Sequence, residues 1–405
     1  MFASFQRYPA DPIFSVLPKF QQDRRLHKVN LSIGLYYDET GALPLLSSVK
    51  EALANLHAKP EPSSYLPMEG HAGYRQAVQR LLFGTACQLL ASGRISTIQT
   101  LGGTGALRIG AEILKRRFPA SSVWVSEPTW ENQVAIFKSA GFEVHRYPYY
   151  NPASRSVDFE SLVCCLKGLA PHSILILHAC CHNPTGLDLS SEQWDEVTSI
   201  AAERELIPFF DCAYQGFGQG MQEDAYSVRV MASHGVSCLI ASSFSKNFAL
   251  YGERCGALTF VCPTPCQAEL AHAEMAHTVR ANYSNPPSHG ANIIANILLD
   301  SGLAALWRSE VENMRLRLES MRTALVEALE RNGQGHHFRH LLETKGMFGL
   351  TGLSAQQVET LRDEFAIYLV ESGRLCFSGL NAKNVTRVAD SLGRISTGPD
   401  VNCGA

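Results

Sequence analysis

Charge is the scarcest resource in this sequence. Asp, Glu, Lys and Arg make up only 18% of its 405 residues and nearly cancel, leaving a formal net charge of -3. A surface without a basic excess gives nucleic acid or an anionic membrane little to hold, so neither is expected as a main partner and small metabolites remain. No apolar run reaches the length needed to cross a bilayer. The opening segment, MFASFQRYPADP, lacks the uninterrupted apolar core of a secretory signal and reads as an extended arm that turns at Asp11-Pro12. The 12 cysteines form no CxxC pair, and Cys164-Cys165 and Cys180-Cys181 are adjacent and bridge poorly within each pair. They read as small hydrophobes in a reducing, cytoplasmic compartment. His178 and His182 bracket Cys180-Cys181, but a second ligand cluster at zinc spacing is missing, so no metal is expected. Internal repeats and low-complexity tracts are missing too.

What is present is core-forming material, 45% hydrophobic residues, in a chain long enough for two domains. Between about residues 95 and 260, short apolar runs alternate with longer amphipathic ones. SVWVS (122–126), SILILH (173–178), LIPFFD (206–211) and CLIAS (238–242) read as buried parallel strands spaced for helical crossovers. Residues 191–205 carry Trp194, Val197 and Ala201 at helical spacing. Residues 303–332 read as one long charged amphipathic helix, followed by strand-like pieces at 346–351 and 367–370 and a helix capped by Ser354 and Gln357. The fold class is α/β, with a large domain at 46–310, a smaller α+β domain from 15–45 plus 311–405, and an N-terminal arm at 1–14. The segment after Leu392, poor in helix and strand formers, reads as a loose end.

Four places can carry chemistry. Lys246 closes SSFSK just past a strand, where ligands of open α/β sheets sit; partial desolvation there lowers an amine's pKa and suits it to Schiff-base chemistry. A solvated surface lysine is the plainer alternative. Asp211 closes LIPFFD, and a buried carboxylate needs a partner: a pyridinium N–H, a helix cap or a salt bridge all qualify. Tyr214 follows three residues on. LGGTGA (101–106) opens a helical stretch, with N–H groups arranged to bind phosphate or simply to make a tight turn; the dinucleotide fingerprint is absent. Asn183, in HNPTG, leaves a strand through a turn and can donate to a ligand oxygen.

The ordered segments GLYYDETG, YLPMEG, GGTGALRIGA, PTWEN, CCHNPTG, DCAYQGFG, SSFSKNFALYGERCG, RANYSNPP and SGRLCFSGL resemble those of the fold-type I pyridoxal-phosphate (PLP) enzymes. The likeness is to the class I aspartate/aromatic aminotransferases and covers roughly residues 5 to 392. It implies a large domain with a mostly parallel mixed sheet flanked by helices. It also implies PLP as cofactor, with Lys246 as the Schiff-base lysine and proton carrier and Asp211 on the ring nitrogen. Asn183 and Tyr214 would meet the phenolic oxygen and Trp130 the ring face. Gly103, Thr104, Ser243 and Arg254 would hold the phosphate, and Tyr65 would reach the phosphate in the neighbouring subunit of a homodimer with shared active sites. Arg374 would grip the substrate α-carboxylate, Arg280 would cross the interface to a side-chain carboxylate, and Gly34 would leave substrate room beside Trp130 and Asn183.

Two positions depart from the family pattern. Gln133 stands where relatives often carry His, and Gly349 replaces a hydroxyl residue or similar, which is expected to loosen the wall of the small domain. The wording of YLPMEG and GLYYDE lies nearer the aromatic branch. The resemblance therefore implies transamination of tyrosine or phenylalanine, and also aspartate, with 2-oxoglutarate, by a ping-pong route through pyridoxamine phosphate. Aspartate transamination, a modified aromatic substrate in specialised biosynthesis, and a non-catalytic PLP-binding regulator are the alternatives.

Overall fold

The computed structural model describes Phe2, Phe5 and residues 15–60 and 62–396. The arm expected over residues 1–14 lies outside the described residues apart from the two phenylalanines. The chain divides into two compact units. The larger comprises residues 44–183 and 187–316, the smaller residues 1–43, 184–186 and 317–405.

The larger unit is built on a seven-stranded sheet. In chain order its strands are β1 (Ile95–Leu101), β2 (Val123–Glu127), β3 (Val144–Pro148), β4 (Ile174–His178), β5 (Ile207–Cys212), β6 (Cys238–Ser243) and β7 (Cys255–Val261). They lie side by side as β1-β7-β6-β5-β4-β2-β3. β7 runs antiparallel to both neighbours, and the remaining pairs are parallel. This is the mixed α/β sheet the sequence implied. The four apolar runs fall on β2, β4, β5 and β6, and every residue of β4 and β6 is buried, because helices cover both faces of a parallel sheet. Since β7 is the reversed strand, the carboxyl ends of β1, β2, β4, β5 and β6 and the start of β7 share one edge. Ligands bind outside that edge in sheets of this kind.

Helix α1 (Gly102–Arg117) leaves β1 directly and packs on the sheet through Ala106, Ile109 and Ile113. Its approach is close: a Cβ at Gly110 would stand 2.5 Å from Cζ of Phe209, a fully buried ring on β5. Gly110→Ala is expected to lower stability by about 1–3 kcal/mol through overpacking, read as an earlier denaturant midpoint with an unchanged slope. Helix α2 (Glu131–Ser139) follows β2, and α3 (Ser191–Glu203) starts at Ser190 with a capping box closed by Gln193. Helix α4 is Pro265–Asn282. No single described helix is long and apolar enough to cross a membrane.

In the smaller unit, Val29–Asn30 pairs in parallel with Ile367–Tyr368, and β8 (Phe348–Leu350) pairs antiparallel with β9 (Arg374–Cys376). The long helix spans Ser301–Arg331, close to its expected limits, with residues 301–316 in the larger unit and 317–331 in the smaller, and the Ser354–Gln357 capping box is formed. The loose end expected after Leu392 is corrected in part. The last helix, Val385–Ser396, includes Gly393 to Ser396, because Val388, Leu392 and Ile395 bury one apolar stripe and packing outweighs weak propensity. Residues 397–405 lie outside the described residues. The small-domain wall is not loosened at Gly349 either: Leu341 and Phe377 fill the space, and a Cβ there would lie 2.9 Å from Leu341 Cδ2.

Candidate active site

Five loops converge on the carboxyl edge of the large sheet. Asp211 lies within β5, one residue before its end, and is 5% exposed. Its Oδ2 accepts a hydrogen bond from Gln133 Nε2 at 2.8 Å. Gln133 lies in the first turn of α2, fully buried, and its Oε1 accepts from Thr129 Oγ1 at 2.7 Å. The other flank of Asp211 is His178, its register partner at the end of β4, whose Nε2 is 3.2 Å from Gln133 Nε2. His182 packs edge-on against His178 and stacks on Tyr149. Ser126 Oγ donates to the Pro128 carbonyl, so its contact at 2.8 Å with His182 Nε2 makes the imidazole the donor. Burial lowers the pKa of both histidines, although Asp211 pulls His178 partly back. Both rings are therefore neutral, and Asp211 faces hydrogen-bonding groups rather than a fixed cation on this side.

Lys246 is half-buried in the loop after β6, with Nζ 4.8 Å from the centre of the Tyr214 ring. Tyr214 is buried just beyond β5, as is Asn183 in the turn after β4. Trp130, half-buried, is the residue before α2 and packs against the core.

Beside these, Gly103 and Thr104 begin α1, Thr104 exposed and Gly103 buried against Ser243. Ser243 Oγ lies 3.3 Å from Ser245 Oγ, and Arg254 Nη1 donates to Ser245 Oγ at 3.2 Å. Arg254 has φ 53°, a left-handed conformation that costs a non-glycine residue about 1 kcal/mol or more. Gly102 (φ +68°) accommodates it: a Cβ there would stand 2.5 Å from Arg254 Nη2. A helix N-terminus, two hydroxyls and a guanidinium thus make an anion cradle on the same edge as Asp211 and Lys246.

Gly102 and Ser245 belong to this arrangement and were not singled out in the sequence. Ser245 was detectable in SSFSK, where alternate residues share a side. Gly102 was masked by the glycine beside it.

Tyr65 is 90% exposed on the larger unit. Arg280, near the end of α4, is exposed and donates from Nη1 to Ser284 Oγ at 2.5 Å. In the smaller unit, Arg374 is 4% exposed, donates from Nη2 to the Ser32 carbonyl at 2.7 Å, and lies 4.1 Å from the centre of the Phe348 ring. Gly34 faces the same ring, since a Cβ would lie 2.8 Å from Phe348 Cζ. Gly34 and Arg374 are thus gathered around one aromatic side chain.

The residues on the sheet edge fit PLP. They offer an amine, an anion cradle whose guanidinium a Cβ at Gly102 would crowd, and a buried carboxylate suited to a ring N–H. Asp211, Lys246, Arg254, Ser243 and Gly103 would hold it.

The chain matches the family model described as aminotransferase class I and II over residues 27–392. It is 52% identical to the aromatic-amino-acid aminotransferase of Escherichia coli strain K12, over 98% of this chain and 100% of that one. It is 44% identical to the aspartate aminotransferase of Pseudomonas aeruginosa, over 97% and 98% of the two chains. The crystal structure of the aromatic-amino-acid aminotransferase from Burkholderia pseudomallei, covalently bound to pyridoxal phosphate, superposes with a TM-score of 0.96. Identity to it is 43%, with 98% of this chain and 99% of that chain covered. With the sheet, the cradle, the buried carboxylate and the lysine in place, the chain belongs to the class I and II aminotransferases.

Proposed function

We propose that this protein is a PLP-dependent aminotransferase that moves the amino group of tyrosine or phenylalanine, and also of aspartate, to 2-oxoglutarate. The observation that carries the reading is the placement of Asp211, Lys246 and the Arg254 cradle on one sheet edge, since transamination needs all three functions at one cofactor. The aromatic preference is supported by the higher identity to the aromatic-amino-acid enzyme than to the aspartate enzyme.

PLP, when bound, supplies an aldehyde carbon that exchanges amino groups and a ring that takes up the electron pair released at the substrate Cα. The chain does the rest. Arg254, Ser243 and the start of α1 would hold the phosphate and so position the ring. Asp211 would accept the ring N–H and keep it protonated. Lys246 Nζ would be the amine that joins the aldehyde carbon and, when free, the base that takes the substrate Cα proton and returns it. Asn183 and Tyr214 would donate to the phenolic oxygen, and Trp130 would lie against the ring. Arg374 takes the α-carboxylate in a fork that a lysine does not offer. The two half-reactions share one site, so the kinetics are ping-pong.

The exposure of Tyr65 and Arg280 supports a homodimer in which each reaches its partner's site, and the free cysteines support a cytoplasmic location. Arg280→Ala is expected to cut kcat/KM for aspartate about 100-fold while changing that for phenylalanine less than about threefold, because only the dicarboxylate loses a charge-assisted pair. Kinetics with tyrosine, phenylalanine, tryptophan and aspartate test the assignment. An enzyme strongly preferring aspartate over both tyrosine and phenylalanine would select the aspartate reading instead.

A further inference from the structure

Resting on the proposed function, we infer that Gln133 is a positioning residue for the ring-nitrogen contact, a two-armed amide that locks both Asp211 and His178. Its orientation follows from its neighbours. Asp211 Oδ2 only accepts, so the atom 2.8 Å away must be the amide nitrogen. The amide oxygen then faces Thr129, whose hydroxyl donates to Oε1 from the other side at 2.7 Å and satisfies that orientation. The second N–H then points at His178 Nε2, 3.2 Å away. An amide nitrogen cannot accept, so His178 Nε2 is the acceptor and the imidazole is neutral with its proton on Nδ1. One fully buried side chain therefore sets the rotation of the carboxylate and the tautomer of its flanking histidine.

The signal for this lies in the chain itself. Thr129 and Gln133 are four residues apart on the turn that enters α2, while Asp211 and His178 are paired across β5 and β4. The helix start is thus tied to the two central strands by polar contacts among buried groups. Breaking such contacts leaves buried groups without partners, which costs more than the contact itself is worth.

The test compares two cofactors on the holoenzyme: PLP, and an analogue with the ring nitrogen replaced by C–H. Both carry the same phosphate, aldehyde and phenolic oxygen, so their ratio isolates the ring-nitrogen contact. Gln133→Met keeps the length and removes both donors. It is expected to weaken PLP retention about tenfold and analogue retention less than about twofold, with Gln133→His recovering most of the loss by restoring an N–H donor. Gln133→Asn, one methylene short, should give the same pattern and serves if the Met variant does not fold. Equal weakening of both cofactors would mean that Gln133 only packs, and no weakening of either would mean that Asp211 needs no such support; each overturns the inference and leaves the proposed function standing. A wild-type protein that takes up no PLP would overturn both.

Discussion

Lys246→Ala is expected to abolish transamination at every substrate concentration, with turnover falling at least about 10⁴-fold, the upper end of what a positioned proton carrier contributes. The loss should not be relieved by more substrate, because the missing group acts on the Cα proton rather than on binding. Lys246 sits half-buried with its Nζ 4.8 Å from the Tyr214 ring centre, beside the cradle of Ser243, Ser245 and Arg254 but not part of it. The variant should therefore still bind PLP through its phosphate. Two measurements separate the roles: an absorption spectrum of the variant with PLP added, and steady-state rates with phenylalanine and 2-oxoglutarate. Bound cofactor without turnover is the expected result. Near-normal turnover would remove the proton-carrying role and the mechanism with it. A small exogenous amine should restore some activity, since the pocket left by the side chain can admit one.

The parts of this protein that were legible in the sequence are those governed by local rules. β4, β5 and β6 read correctly because a strand buried on both faces is an apolar run of about six residues, and SILILH, LIPFFD and CLIAS have no helical period. The Ser354 cap read correctly because a capping box is a spacing. The helix end at Ser396 did not, since GRIS has weak propensity and is held by burial of Ile395, a tertiary effect. Asp211 was visible as a polar residue closing a strand, and Lys246 as one just past a strand. Gln133 was visible only as a departure from pattern. Its contact with Asp211 joins residues 78 apart in sequence, and no spacing rule connects a helix start to the end of a strand that far along the chain. Gly102 illustrates the same limit from the backbone side. Its neighbour Gly103 carries an equal local signal, and only the folded structure separates their reasons: Gly102 has a positive φ and faces Arg254, whereas Gly103 stands 3.0 Å, at its would-be Cβ, from Ser243 Cβ.

Asp211→Ala should separate binding from chemistry in the same sense as Lys246→Ala, but through the ring nitrogen rather than the Cα proton. The anion cradle is untouched, so cofactor should still bind when supplied in excess, held more weakly than in the wild type by the loss of the ring-nitrogen contact. The rate should nevertheless fall by roughly three orders of magnitude. A carboxylate held ~4 Å from a ring cation attracts it by about 4 kcal/mol at an effective dielectric near 20. At about 1.4 kcal/mol per tenfold, that is close to 10³ in the equilibrium that keeps the ring protonated. Only the protonated ring withdraws electrons strongly enough to stabilise negative charge at Cα, so the loss appears in kcat rather than in KM. Burial sharpens the effect: Asp211 is 5% exposed, its Oδ2 is already satisfied by Gln133, and water cannot easily replace it. Asp211→Glu keeps the charge but must push it one methylene further into a packed edge, and should recover part of the rate. Asp211→Asn keeps the shape and lacks the charge, and should resemble the alanine variant. If Asp211→Asn turned over at the wild-type rate with full cofactor occupancy, the electrostatic role of the carboxylate would be refuted.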